Sequence, residues 1–154
     1  ELAKKERPDL EFLLAGPEGD VTEADISSFI NSGVITYLGP VENMVDLYKR
    51  ATIFVLPSFR EGFPVTIMEA MASGRPVITN DVPGCRDAVD DGVNGILIPK
   101  GDFALLSSEI LKLISDEGLC AKYGNCAREK AIKSFSFPSC QEHYLNFVTE
   151  YLKK

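Results

Sequence analysis

The sequence predicts an α/β fold, a Rossmann-like parallel sheet flanked by helices, and three observations carry that prediction. Short apolar runs alternate along the chain with stretches of helical spacing, and strands that alternate with helices imply a parallel sheet. The run Thr52 to Leu56 is β-branched and aromatic and stops at Pro57, which suits a strand covered on both faces. The 154 residues are 45% hydrophobic, with 9 Phe and no Trp, enough for one domain with a sizeable core.

In order, Glu1 to Arg7 reads as the tail of a helix. Leu10 to Ala15 is a strand closed by the turn Gly16-Pro17-Glu18-Gly19-Asp20. Thr22 caps a helix over 23–32 with Ile26, Phe29 and Ile30 as its buried side, and Gly33 ends it. Val34 to Leu38 is the next strand, followed by Gly39-Pro40-Val41. Asn43 caps a helix over 44–50, which leads into the strand Thr52 to Leu56. Pro64 suits the first turn of a helix, whose apolar face is Val65, Ile67, Met68, Met71 and Ala72 and which Gly74 stops. Val77 to Asn80 is a buried strand, 85–89 a short helix, and Gly95 to Ile98 a strand after a turn at Asn94-Gly95. Three helices close the chain, over 103–115, 118–134 and 139–152. In the first, Leu105, Leu106, Ile110, Leu113 and Ile114 read as core. In the last, Tyr144, Phe147, Val148, Tyr151 and Leu152 form an apolar face that, unpaired, would be an exposed strip or a self-association site.

Chemistry concentrates between Pro57 and Ile78. Glu61 lies in the loop at the carboxyl end of a strand, where open α/β sheets bind ligands. Glu69 lies about a turn and a half into the helix, and its apolar neighbours Met68, Ala70 and Met71 predict partial enclosure. An ionised carboxylate there needs donors, and a ribose diol has two hydroxyls. Gly62 frees the backbone to approach a ligand, and the N–H groups around Gly62, Phe63 and Val65 make a phosphate site at the helix start. Together these features describe a nucleotide-sugar site.

The ordered motifs Pro57-Ser58-Phe59-Arg60-Glu61-Gly62-Phe63-Pro64 and Glu69-Ala70-Met71-Ala72-Ser73-Gly74-Arg75-Pro76-Val77 place seven residues between two glutamates. With Asn80-Asp81-Val82-Pro83-Gly84-Cys85-Arg86-Asp87, Asp91-Gly92-Val93-Asn94-Gly95 and Ile98-Pro99-Lys100-Gly101-Asp102, they resemble family 4 retaining glycosyltransferases of the GT-B fold. The resemblance spans nearly the whole chain, as the carboxyl-terminal, donor-binding domain. The Asp-Val-Pro-Gly-Cys-Arg variant is most similar to bacterial enzymes of capsule or lipid-linked oligosaccharide synthesis. The resemblance implies that Glu61 is the catalytic residue, contacting the donor sugar. It also implies that Glu69 binds the ribose and that Gly62, Phe63, Pro64 and Val65 face the diphosphate and sugar. Leu38 and Val41 sit where the family frames its base, with plain core or loop packing as the other reading.

The substrate so implied is a nucleoside diphosphate sugar, UDP-linked and carrying a hexose or N-acetylhexosamine, with no metal and no cofactor. The family's domain opens with a strand, central in its sheet, and a loop whose arginine and lysine neutralise the donor diphosphate. The resemblance implies that this chain lacks that first strand, and Lys4, Lys5 and Arg7 do not occupy those motif positions. It therefore implies a fragment of a larger two-domain enzyme, inactive alone, over 1–154. A missing amino-terminal domain would bind a glycan or polyprenyl-linked acceptor, and the final helix would cross back to it. The expected place is the cytoplasm, with peripheral contact to the inner membrane for the full-length enzyme only.

Net charge −7 argues against nucleic acid or an anionic membrane as partner of this stretch. No run of about 18 apolar residues occurs. Cys85, Cys120, Cys126 and Cys140 form no Cys-x-x-Cys pair and His143 is the sole histidine, so neither a zinc site nor a Cys/His or Ser/His/Asp site is predicted. Free, reduced thiols are expected. A helix start would lower the Cys85 thiol pKa, although a structural role is the favoured reading. Two alternatives stand beside the transferase. A nucleotide-sugar epimerase of the same fold shares the ligand class but fits Glu61 and Glu69 less well. A receiver-like regulatory module needs an acidic cluster that Asp9, Asp20 and Asp81 do not make.

Overall fold

The computed structural model describes residues 1–19 and 21–152. The chain divides into two compact units, Glu1–Leu47 and Tyr48–Lys154.

In the first unit, α1 (Leu2–Glu6) precedes β1 (Leu13–Ala15), α2 (Glu23–Asn31) and β2 (Thr36–Gly39), and α3 (Met44–Arg50) begins at its end. β1 and β2 pair in parallel, Leu13 with Thr36 and Leu14 with Tyr37. The predicted strand at 34–38 starts late because the Val34 and Ile35 N–H groups both donate to the Phe29 carbonyl at the end of α2. Thr22 begins α2, donating its N–H and hydroxyl to Asp25 Oδ2 at 2.9 and 2.7 Å, which holds that carboxylate below its usual range. The predicted buried side of α2 is not buried: Phe29 is 39% exposed and Ile26 and Ile30 are only half-buried, since a two-stranded ladder offers little apolar surface to cover them. Asn43 caps α3 as predicted, its Oδ1 accepting from the Asp46 N–H at 3.3 Å.

The second unit holds β3 (Phe54–Leu56), α4 (Val65–Ala72), β4 (Val77–Asn80), α5 (Cys85–Ala88) and β5 (Gly95–Ile98). Then follow α6 (Phe103–Ser115), α7 (Glu117–Lys130), a π turn (Ala131–Phe135) and α8 (Phe137–Leu152). The strands pair in parallel in the order β3-β4-β5, with β4 central and all four of its residues buried. Flanked on both sides by strands and covered on both faces, Val77-Ile78-Thr79-Asn80 is the continuous apolar run expected of a parallel interior strand in all but its last two residues. Those two are tied by side-chain hydrogen bonds described below.

The core joins Ile67 and Met71 of α4 to Val77, Val82, Cys85, Ala88, Val89, Ala127 and Ala131. The buried face of α4 is Ile67, Ala70 and Met71, whereas the predicted Val65 and Ala72 are exposed. Gly124 brings α7 against the end of α4, for a β-carbon there would lie 2.4 Å from the Gly74 carbonyl oxygen. In α6, Ile110 and Leu113 are buried while Leu105, Leu106 and Ile114 are half-buried. The helix predicted over 118–134 gives way to the π turn at 131, and α8 starts at Phe137, with Pro138 in its first turn. The apolar face of α8 is an exposed strip that includes Tyr144, Phe147 (69% exposed), Tyr151 and Leu152.

Candidate functional site

Glu61, Gly62, Phe63, Pro64, Val65 and Glu69 all lie in the second unit, in the loop after β3 and the first turns of α4. The loop is held from below by β4. Thr79 Oγ1 donates to the Leu56 carbonyl at 2.7 Å, and Asn80 Nδ2 donates to the Ser58 carbonyl at 3.1 Å. Both donors are almost wholly buried, so the chain leaving β3 is pinned where its ladder ends.

From the side, the β4–α5 turn closes on the same loop. Gly84 adopts φ +83°, and a β-carbon there would stand 2.1 Å from the Gly62 carbonyl oxygen and 3.0 Å from that of Glu61. Only glycine meets both the left-handed backbone and the close approach. Gly62 itself has open space around its own Cα and no positive φ. The tight contact belongs to its carbonyl, and the glycine it requires is Gly84.

Glu61 is half-buried, and no donor among the described residues bonds its carboxylate. Its charge reaches Cys85. Burial chiefly pushes that thiol up, Thr79 opposes the shift, and Glu61 adds to it, so the lowering expected of a helix start does not occur. Cys85 is fully buried, in keeping with the structural role. All four cysteines are free.

Pro64 is the N-cap of α4 rather than its first helical residue, with φ −74° and ψ 111°. Its carbonyl accepts from the Ile67 N–H at 3.1 Å. The N–H groups of Gly62, Phe63, Val65 and Thr66 find no acceptor among the described residues. An eight-residue helix thus presents open donors at the end where its dipole is positive, four residues after the half-buried Glu61. Phe63 packs its ring edge-on against Phe135, centroids 5.4 Å apart, which anchors the loop's outer end.

Glu69 is exposed, not enclosed. Residues at i±1 on a helix point away from one another, so Met68 and Ala70 cannot cover it. What holds it is Tyr48, whose hydroxyl donates to Glu69 Oε2 at 3.0 Å. Sequence reasoning missed Tyr48, Thr79, Asn80 and Gly84 as site residues. A tyrosine destined for burial needs an acceptor, but the sequence does not say that the acceptor lies 21 positions away.

Leu38 and Val41 belong to the first unit, at the carboxyl end of β2 and just beyond it; Leu38 is exposed and Val41 half-buried. In that unit Lys4 donates to the Gly33 carbonyl, and Arg7 forms a two-pronged pair with Asp9 at 2.9 and 2.7 Å. Of the aspartates weighed for a receiver, Asp9 is thus engaged, Asp81 accepts from Arg86 Nε at 2.6 Å, and Asp20 lies outside the described residues. Neither of two cavities is lined by Glu61–Val65 or Glu69. One of about 340 Å³ includes Gly16, Thr22 and Tyr37, and one of about 510 Å³ includes Arg50, Arg75 and Cys120. Among the described residues no group of His, Cys, Asp and Glu is placed to hold a metal ion, and no helix is long and apolar enough to cross a membrane.

A loop fixed from two sides, an unpaired carboxylate and open amides at a helix start thus meet at the carboxyl end of β3. Comparison with known proteins gives the family. A family model described as "Glycosyl transferases group 1" matches residues 1–116, and the chain belongs to that family. It is 34% identical over 122 residues to N,N'-diacetylbacillosaminyl-diphospho-undecaprenol alpha-1,3-N-acetylgalactosaminyltransferase of Campylobacter jejuni, covering 79% of this chain and 32% of that protein. It is 31% identical over 137 residues to the capsular polysaccharide biosynthesis glycosyltransferase CapM of Staphylococcus aureus, covering 89% of this chain and 36% of the relative. The chain therefore spans about a third of the length of these curated relatives.

Among solved structures, a point mutant of S. aureus TarM in complex with fondaparinux, alpha-GlcNAc-glycerol and UDP superposes with a TM-score of 0.85 at 28% identity, over 94% of this chain and 30% of that one. The pneumococcal O-GlcNAc transferase GtfA in complex with UDP and GlcNAc does so with a TM-score of 0.80 at 26% identity, over 99% of this chain and 31% of that one. The fold is thus the α/β, parallel-sheet architecture found in these transferases.

Proposed function

We propose that this chain is the donor-binding part of a retaining glycosyltransferase. The transferase takes a hexose or N-acetylhexosamine from a nucleoside diphosphate sugar, UDP-linked, and passes it to a glycan or polyprenyl-linked acceptor in bacterial surface polysaccharide synthesis. The observation that carries the reading is the pairing of Glu61, half-buried and unbonded, with the open N–H groups of Val65 and Thr66 at the start of α4. In this reading the amides receive the diphosphate, Glu61 is the catalytic group that holds the donor sugar's hydroxyls, and Glu69 receives the ribose diol. Phe63 and Pro64 shape the loop around them.

Catalysis is then positioning together with stabilisation of the departing diphosphate. Open amides aimed at a developing anion suit that role, and the proposal needs no metal ion or cofactor. Acceptor binding falls to the part of the relatives' length that this chain does not span. A cytoplasmic place, with the full-length enzyme touching the inner membrane peripherally, follows from a lipid-linked acceptor.

An amide NMR titration with UDP, with GDP and AMP as controls, tests this. Shifts clustering at Gly62, Phe63, Val65 and Glu69 for UDP are expected. A well-dispersed spectrum that none of the three nucleotides perturbs would overturn the reading for this chain.

A further inference from the structure

Glu69 projects from an exposed position, and a glutamate on a helix surface is ordinarily free to turn. Tyr48 constrains it. That residue, on α3, is 2% exposed, and its ring meets Phe54 edge-on with centroids 5.7 Å apart and planes at 76°. The phenol is therefore a fixed point, and its hydroxyl reaches Glu69 Oε2 at 3.0 Å. A carboxylate offers about four lone-pair positions, so one phenol bond leaves Oε1 and part of Oε2 open. Burial first, and Glu69 second, push the phenol pKa upward, so the hydroxyl stays a donor across the physiological range.

We propose that Tyr48 is a positioning residue for the nucleotide: its hydroxyl holds Glu69 in one rotamer, with Oε1 presented to the ribose diol. The proposal rests on the reading of Glu69 as the ribose contact. It assigns Tyr48 a place in recognition although Tyr48 touches no ligand itself. The competing explanation is that the bond merely fastens α3 to α4.

The two are separated by titrating UDP and 2′,3′-dideoxy-UDP calorimetrically into the wild-type chain, Tyr48→Phe, Glu69→Ala and the double variant. Tyr48→Phe is expected to weaken UDP binding roughly three- to tenfold, the share of one hydrogen bond. It is expected to have no effect in the Glu69→Ala background and none on the dideoxy nucleotide. An equal loss in all three settings would make Tyr48 structural and overturn the proposal, as would no loss at all. If Glu69→Ala leaves UDP affinity unchanged, or if the wild-type chain binds no UDP, the ribose reading falls and takes the proposal with it. If Glu69→Ala weakens binding while Tyr48→Phe does not, only the proposal falls. Tyrosine labelled at Cζ provides a readout that needs no variant. The Tyr48 resonance should move with UDP and stay with the dideoxy analogue, and silence on a chain that binds UDP overturns the proposal.

Discussion

At Gly84 the backbone turns at φ +83° with the Gly62 carbonyl oxygen 2.1 Å from where a side chain would begin. Gly84→Ala therefore meets two penalties, a left-handed backbone and a clash with main chain that cannot rotate away. The backbone strain alone is worth about 1–3 kcal/mol, so a lowered melting temperature is expected. The Glu61 and Gly62 amide resonances should shift too, since the loop has to retreat. Gly62→Ala is the control, because a methyl group there meets open space. A Gly84→Ala variant as stable as Gly62→Ala would refute the close packing. Both glycines are plain in the sequence, but their roles are not. A glycine's need depends on what approaches its Cα, and the approaching carbonyl is 22 residues away in sequence.

At the scale of elements, strand ends and loops are coupled by buried side chains. Thr79 is 1% exposed and supports the Leu56 carbonyl, where β3 gives way to the loop bearing Glu61. Thr79→Val keeps the shape and removes the donor, so the Leu56 carbonyl loses that bond at a cost of about 0.5–1.5 kcal/mol. Urea denaturation should show a lower midpoint with an unchanged slope, since the surface exposed on unfolding does not change. An unchanged midpoint would mean that the bond contributes nothing net. The existence and order of β1–β5 and of the helices were legible in the sequence from apolar runs, Pro and Gly stops, and caps such as Asn43. Their lengths were less so. β1, β2 and β3 begin two or three residues late, and in β2 the reason is that the Val34 and Ile35 N–H groups use the Phe29 carbonyl. The π turn at Ala131–Phe135 left no trace in a pattern that continues smoothly through it.

At the scale of the whole molecule, the two compact units differ in how well they are buried. In Glu1–Leu47 the sole buried hydrophobic residue among those described is Ala3, whereas β4 in the second unit is buried at every position. Amides bonded across burial-poor pairs open at low free energy. Hydrogen exchange should therefore be markedly faster in β1 and β2 than in β4 and β5, by orders of magnitude at neutral pH. Equal protection in both ladders would show that the first unit is stabilised by more than its own packing. The sequence by itself determined the α/β class, the parallel sense of the strands and the family. All of these rest on local spacing and on ordered motifs. Only the tertiary structure decided that Glu69 is exposed and held by Tyr48, that Gly84 rather than Gly62 carries the steric demand, and that Thr79 and Asn80 brace the loop. Each of those depends on groups brought together from distant positions, and burial and hydrogen-bond partnership are properties of the packed chain, not of the spacing along it.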